Sequence, residues 1–213
     1  MMKKFLITFI GIIIIMGCSS KSEEKKITSQ NHVYYLLESY SNMPNNNAII
    51  PGLVEQITQS VQYVDLALSN SDDKIVVDYL KKVINVLEGK DGLNFEENIE
   101  NKGDDYGVIN YINEAIIHTN LALNTENASE EIKIYGEDII VSLQNTKKSV
   151  DESINQAVLA VSQKNLEQRI QYLVRVKKEL IYALNGQDSN NDGILDKNET
   201  GLLRAKEYTE FLR

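Results

Sequence analysis

The chain has 213 residues with 22 basic and 31 acidic side chains, a formal net charge of −9, 42% hydrophobic residues, two prolines and one cysteine. So acidic a surface repels nucleic acid and anionic lipid headgroups, and no basic stripe relieves it. A single cysteine leaves no disulfide and no Cys/His zinc site to build.

The chain opens with Lys3 and Lys4, an apolar run from Phe5 to Met16, and then Gly17-Cys18. That run is too short to span a bilayer as a helix, which takes about 20 residues. A basic start, a short apolar stretch and a small residue before the cut describe a secretory signal peptide over residues 1–17. With the lone cysteine directly after the glycine, the segment resembles a bacterial lipobox. The resemblance implies that Cys18 carries acyl groups and ties the mature chain to membrane lipid, outside the cytoplasm. Ser19 implies the outer membrane in a cell that has one, and otherwise the outer face of the cell membrane. Cleavage removes Lys3 and Lys4, leaving 20 basic against 31 acidic residues and a net charge of −11. Residues 18–31 are polar and mixed in charge and read as a flexible tether.

Beyond the tether the expected class is all-α, a bundle of about five to seven helices over residues 32–164 with a helical hairpin over 165–213. After Val33–Leu37, Pro44 and Asn45–Asn47 supply turn chemistry. Leu53, Ile57, Val61, Val64 and Leu68 recur at helical spacing, as do Val76, Leu80, Val83, Ile84 and Leu87. Ser71, Asp72 and Asp73 can cap the second of these helices and Gly89 can end it. Val108, Ile109, Ile112, Ile116 and Leu123 mark the next stripe. Ile132, Tyr135, Ile139 and Leu143 continue in phase into Val150, Ile154, Ala157 and Val161, so 130–163 forms one long helix or two.

Two internal echoes suggest repeated helical hairpins. Val61–Leu68 matches Ile116–Leu123 at an offset of about 55, and Val83–Asp91 matches Leu180–Asp188 at an offset of about 97. In the second echo a helix ending in Leu-x-Gly-x-Asp enters an acidic loop both times. Duplication followed by loss of one loop's oxygens accounts for that pattern.

The later loop carries the densest chemistry. Asp188, Asn190, Asp192, Asp196 and Glu199 occupy positions 1, 3, 5, 9 and 12 of a twelve-residue stretch, with Gly193 at position 6 and the carbonyl of Ile194 available at position 7. Calcium takes six to eight oxygens, and alternate residues of a curled loop can aim theirs at one point. Residues 188–199 resemble the EF-hand calcium loop, and the flanking stripes resemble its two helices: Leu166, Ile170, Leu173, Leu180, Ile181 and Leu184 before, and Leu202, Leu203, Phe211 and Leu212 after. The resemblance implies one calcium ion held by Asp188, Asn190, Asp192, Ile194, Asp196 and Glu199. No second loop matches fully, because 91–102 places Leu93, Phe95 and Lys102 at positions that need oxygen.

No phosphate-binding glycine loop, nucleophile elbow or zinc spacing occurs. Glu114 and His118 lie four apart and read as a solvated pair, and the tyrosines read as half-buried edges of the core. The expected function is therefore a membrane-anchored, extracytoplasmic calcium-binding module and not an enzyme. The rival reading is a bundle that holds haem or another small ligand through His118 or His32, with an incidental calcium loop.

Overall fold

The computed structural model describes residues 27–213; the signal segment 1–17, Cys18 and the tether as far as Lys26 lie outside the described residues. Seven α-helices follow among the described residues: α1 Ser29–Leu37, α2 Ile49–Leu68, α3 Asp73–Glu88, α4 Val108–Leu123, α5 Glu130–Ser162, α6 Leu166–Asn185 and α7 Leu202–Glu210. A short 3-10 turn, Pro44–Asn46, joins α1 to α2, and no named strand occurs among these residues. The fold is an all-α bundle, and no described helix is long and apolar enough to cross a membrane.

The stripes read from the sequence for α2 to α6 face inward. Leu53, Ile57 and Val64 of α2 and Val76, Leu80, Val83 and Leu87 of α3 are fully buried, and Ile132, Ile139, Leu143 and Val150 do the same for α5. Asp72 caps α3 by accepting from the Lys74 N–H at 2.9 Å. Ser129 and Asn165 cap α5 and α6 in the same way. Residues 130–162 form one helix of 33 residues, because its apolar positions stay in phase and nothing interrupts them. Its single glycine, Gly136, is where Leu123 of α4 packs against the helix backbone.

α5 is the hub, touching α3, α4, α6 and α7, while α1 lies mainly on α4. Buried Arg169 ties three elements at one end. It donates to the carbonyls of Ala160 and Gln163 and pairs with Asp73 at the start of α3.

Three details differ from the sequence reading. Residues 29–31 belong to α1 and not to a tether, since Asn31 accepts from both the backbone N–H and the hydroxyl of Thr28 and so starts the helix there. α7 begins at Leu202 after Gly201, and its buried face is Leu202, Ala205 and Thr209, with Leu212 buried just beyond its end. Leu203 and Phe211, expected in that patch, are 45% and 50% exposed. Tyr111 is fully buried, and its hydroxyl donates to Asp104 at 2.6 Å.

The echo between α3 and α6 extends into the backbone. α3 ends at Gly89 with φ 74° and ψ 177°, and α6 ends at Gly186 with φ 94° and ψ 173°. The Lys90 N–H then bonds the Asp105 carbonyl at 2.8 Å, and the Gln187 N–H bonds the Glu199 carbonyl at 2.8 Å. A second glycine, Gly107 or Gly201, precedes the next helix in each case. A Cβ at Gly89 or Gly186 would collide with the carbonyl of Tyr106 or Glu199, so only glycine lets the two loop ends approach. In element order the described residues thus run as two successive three-helix units, α2–α3–loop–α4 and α5–α6–loop–α7, with α1 in front, although the echo of Val61–Leu68 in Ile116–Leu123 falls on α2 and α4 of the first.

Candidate metal centre

The second loop is closed at its base by that Gln187–Glu199 bond and by an antiparallel bridge between Gly186 and Thr200. Thr200 is held from below, since its hydroxyl meets Ser142 of α5 at 2.8 Å and its carbonyl accepts from Asn145 at 3.1 Å. Lys197 pairs with Asp138 at 2.6 Å, and that hydrogen bond holds its ammonium above the ordinary lysine value. α5 therefore fixes the exit side of the loop.

Inside this frame the chain turns its side-chain oxygens onto its own amides. Asp188 accepts from the N–H groups of Asp192 and Gly193 at 3.2 and 2.9 Å, Asn190 from Asp192 at 2.9 Å, and Asp192 from Ile194 at 2.8 Å. Asp196 accepts from Asn198 at 2.8 Å. Glu199 reaches back across the loop, one oxygen accepting from Ser189 and Asn190 at 2.8 and 3.3 Å and the other from Asp196 at 3.4 Å. Glu199 is buried, whereas residues 189–198 are exposed. Gly193 has φ 83° with open space around it, which suits the sharp turn of position 6.

The six residues named from the sequence are thus brought into one loop. Among the described residues no three Asp, Glu, His or Cys side chains gather as a ready metal cluster. The donor set nonetheless fits a hard cation: it is all oxygen, supplied by alternate residues, and closed by a carboxylate whose two oxygens face opposite limbs of the loop. With calcium bound, Asp188, Asn190, Asp192, the Ile194 carbonyl, Asp196 through a water, and Glu199 would supply the ligands.

The first loop, 90–106, has the same frame and a different filling. Asn85 of α3, fully buried, donates to the Glu96 carbonyl and accepts from the Glu96 N–H, both at 2.9 Å. The hydroxyl of Tyr63 accepts from Lys102 at 2.6 Å, Gln56 accepts from Asp104 at 3.4 Å, and Lys81 pairs with Glu96 at 2.8 Å. Side chains of the bundle hold this loop.

The structure corrects the reading of His118 as a solvated residue. His118 is not solvated beside Glu114; it is 5% exposed, and its Nδ1 lies 2.9 Å from Nδ1 of His32, itself 8% exposed. Tyr35 and Tyr40 close over the His118 ring at 5.2 and 4.6 Å between centroids, and Glu114 lies 3.6 Å from its Nε2. Burial, and then the facing His32, push His118 down to about 4; burial also lowers His32 and raises Glu114. No local signal could reveal a pair 86 residues apart.

Comparison with known proteins adds no identity: the chain matches no family model, no curated protein and no solved structure.

Proposed function

We propose that this chain is a lipid-anchored, extracytoplasmic calcium-binding protein, acting as a binding or scaffolding module and not as an enzyme. The carrying observation is the loop 188–199, where five oxygen-bearing side chains recur within twelve residues and Glu199 bridges the two limbs. Four of those side chains are carboxylates, whose mutual repulsion at short range a divalent cation relieves. The ion's role is structural. Its loop sets the angle at which α7 arrives, and α7 buries only a narrow face, so locking the loop locks the C-terminus.

A lone, exposed loop predicts a weak site, on the order of 10⁻⁴ to 10⁻³ M, in the range of extracellular modules. Calcium at ten times Kd then adds about 1.4 kcal/mol to stability. Isothermal calorimetry on the wild type and on Asp188→Ala/Glu199→Gln tests the reading: heat is expected from the first protein alone, and equal heats sink it. Anchoring through Cys18 is tested separately by mass spectrometry of the mature chain, an unmodified N-terminus elsewhere being the failing result.

The haem alternative has less support. His32 and His118, its only imidazoles, bond each other beneath two tyrosines.

A further inference from the structure

A single proton joins α1 to the bundle. Nδ1 of His32 lies 2.9 Å from Nδ1 of His118 on α4, and both imidazoles are more than nine-tenths buried. One ring donates and the other accepts, so the contact holds one proton between two nitrogens. On the far side of the His118 ring, Nε2 has no hydrogen-bond partner among the described residues, and Glu114 stands 3.6 Å from it.

Acid alters this contact in two steps. A first added proton keeps a donor facing an acceptor but places a charge where water does not reach it. A second leaves two donors and two positive charges facing each other at hydrogen-bond distance. Both steps favour the undocked helix, whose histidine returns to water. Glu114 is the counter-charge at hand, and burial holds its carboxyl above the ordinary value, which weakens that compensation. Tyr35 of α1 and Tyr40 of the connection beyond it cover the His118 ring, and Tyr106, ahead of α4, is coupled to Glu114 and Tyr40. The nearest charges on the other packed helices are engaged elsewhere: Lys147 of α5 reaches α4 at Asn113, Glu55 of α2 acts on Tyr111, and Arg213 after α7 pairs with Glu38.

The rest of the hold on α1 is short. Its nine residues lie mainly on α4, burying Val33, Leu36 and Leu37, and Ser29 donates its hydroxyl to the Ala122 carbonyl at 2.8 Å. A helix of that length does not persist alone in water, so undocking also melts it. Further on, Met43 is 3% exposed and keeps the connection into α2 seated.

We propose that the His32–His118 contact is an acid-operated latch: its opening frees residues 27–40 from α4 and lengthens the chain between a lipid anchor at Cys18 and the bundle. The lengthening rests on the anchoring reading, and the latch does not. The 14 residues from Ile27 to Tyr40, once freed, have a root-mean-square length of about 20 Å. The bundle then stands further from the surface that holds it.

Hydrogen exchange of residues 18–213, with the thiol capped, reads the latch. After division by the intrinsic rate at each pH, opening of the 29–37 amides should rise at least tenfold from pH 7.5 to 5.0. His118 at about 4 against an ordinary 6.5 sets the rise at about thirtyfold before Glu114 offsets part of it. The 166–185 amides of α6 should rise less than threefold, and His118→Gln should abolish the difference. Circular dichroism at pH 7.5 must show the variant folded, and His32→Gln takes its place if it is not. An equal rise in α1 and α6, or an undiminished rise in the folded variant, overturns the latch.

The lengthening is read by coupling the only thiol, Cys18, to a maleimide lipid in a supported phosphatidylcholine bilayer. Neutron reflectometry should place the wild-type layer about 10 Å or more further out at pH 5.0 than at 7.5, with no shift in His118→Gln. A layer that stays in place while the 29–37 amides open overturns the lengthening. Chemical coupling supplies the anchor here, so the result is independent of whether the natural chain is acylated, which mass spectrometry of the mature N-terminus decides.

Discussion

The loops 90–106 and 187–200 start from the same glycine geometry and close on the same backbone bond, yet they meet the demands of their amides differently. In the first, Asn85, Tyr63 and Gln56 reach in from buried helix faces. In the second, every hydrogen bond made by residues 188–196 ends within the loop itself. The difference teaches that one frame can be anchored by side chains reaching in from the bundle or filled almost wholly by the loop's own side chains.

The shared frame gives the largest expected effect. Gly89→Ala and Gly186→Ala should each cost about 3 kcal/mol in urea unfolding, since both force a side chain into positive φ against a carbonyl. A harmless substitution at either position would break the equivalence of the two loops.

Acid separates both loops from the rest of the molecule. His118 has a folded pKa of about 4, below its ordinary 6.5, so the unfolded chain binds the extra proton. The stability this group contributes is complete above pH 6.5 and is lost as pH falls towards 4. The loss approaches about 3 kcal/mol at about 1.4 kcal/mol per pKa unit. Glu114, raised by burial, takes up a proton in the folded state and offsets part of it. Tyr35 and Tyr40 cover the His118 ring, and the Arg213–Glu38 ion pair at 3.0 Å holds the far end of α1. Proteolysis between pH 7 and 5 should therefore nick α1 before either loop, and His118→Gln should flatten the stability profile. Cleavage of the second loop first would contradict this order.

The smallest effect sharpens the contrast in filling. Asn85→Ala leaves the Glu96 N–H and carbonyl without their partner and should cost about 2 kcal/mol, the same with or without calcium. Thermal unfolding in calcium and in chelator measures both. Rescue of Asn85→Ala by calcium would show the first loop also holds an ion.

The helices were legible in the sequence because burial imposes a 3.6-residue rhythm, and the in-phase stripe of Ile132 to Val161 already ran unbroken. The oxygen-bearing residues of the second loop were legible because Asp188, Asn190, Asp192, Asp196 and Glu199 lie within twelve consecutive residues. What held the first loop was not, since Gln56, Tyr63 and Asn85 lie between 11 and 48 residues from their partners. α1 escaped for another reason: its start depends on a bond between Thr28 and Asn31 inside a polar stretch, and its docking on His32 meeting a helix far along the chain.

α5 belongs to the second three-helix unit by sequence but packs against α3 and α4 of the first as well as against α6 and α7. Its buried face is shared, and neither unit keeps a closed core if the other melts. Repeat arrays with separate interfaces unfold piecemeal; here the 33-residue helix couples the halves into one cooperative transition, and an ion seated at the C-terminal loop would slow hydrogen exchange as far away as Leu80 and Val83 of α3.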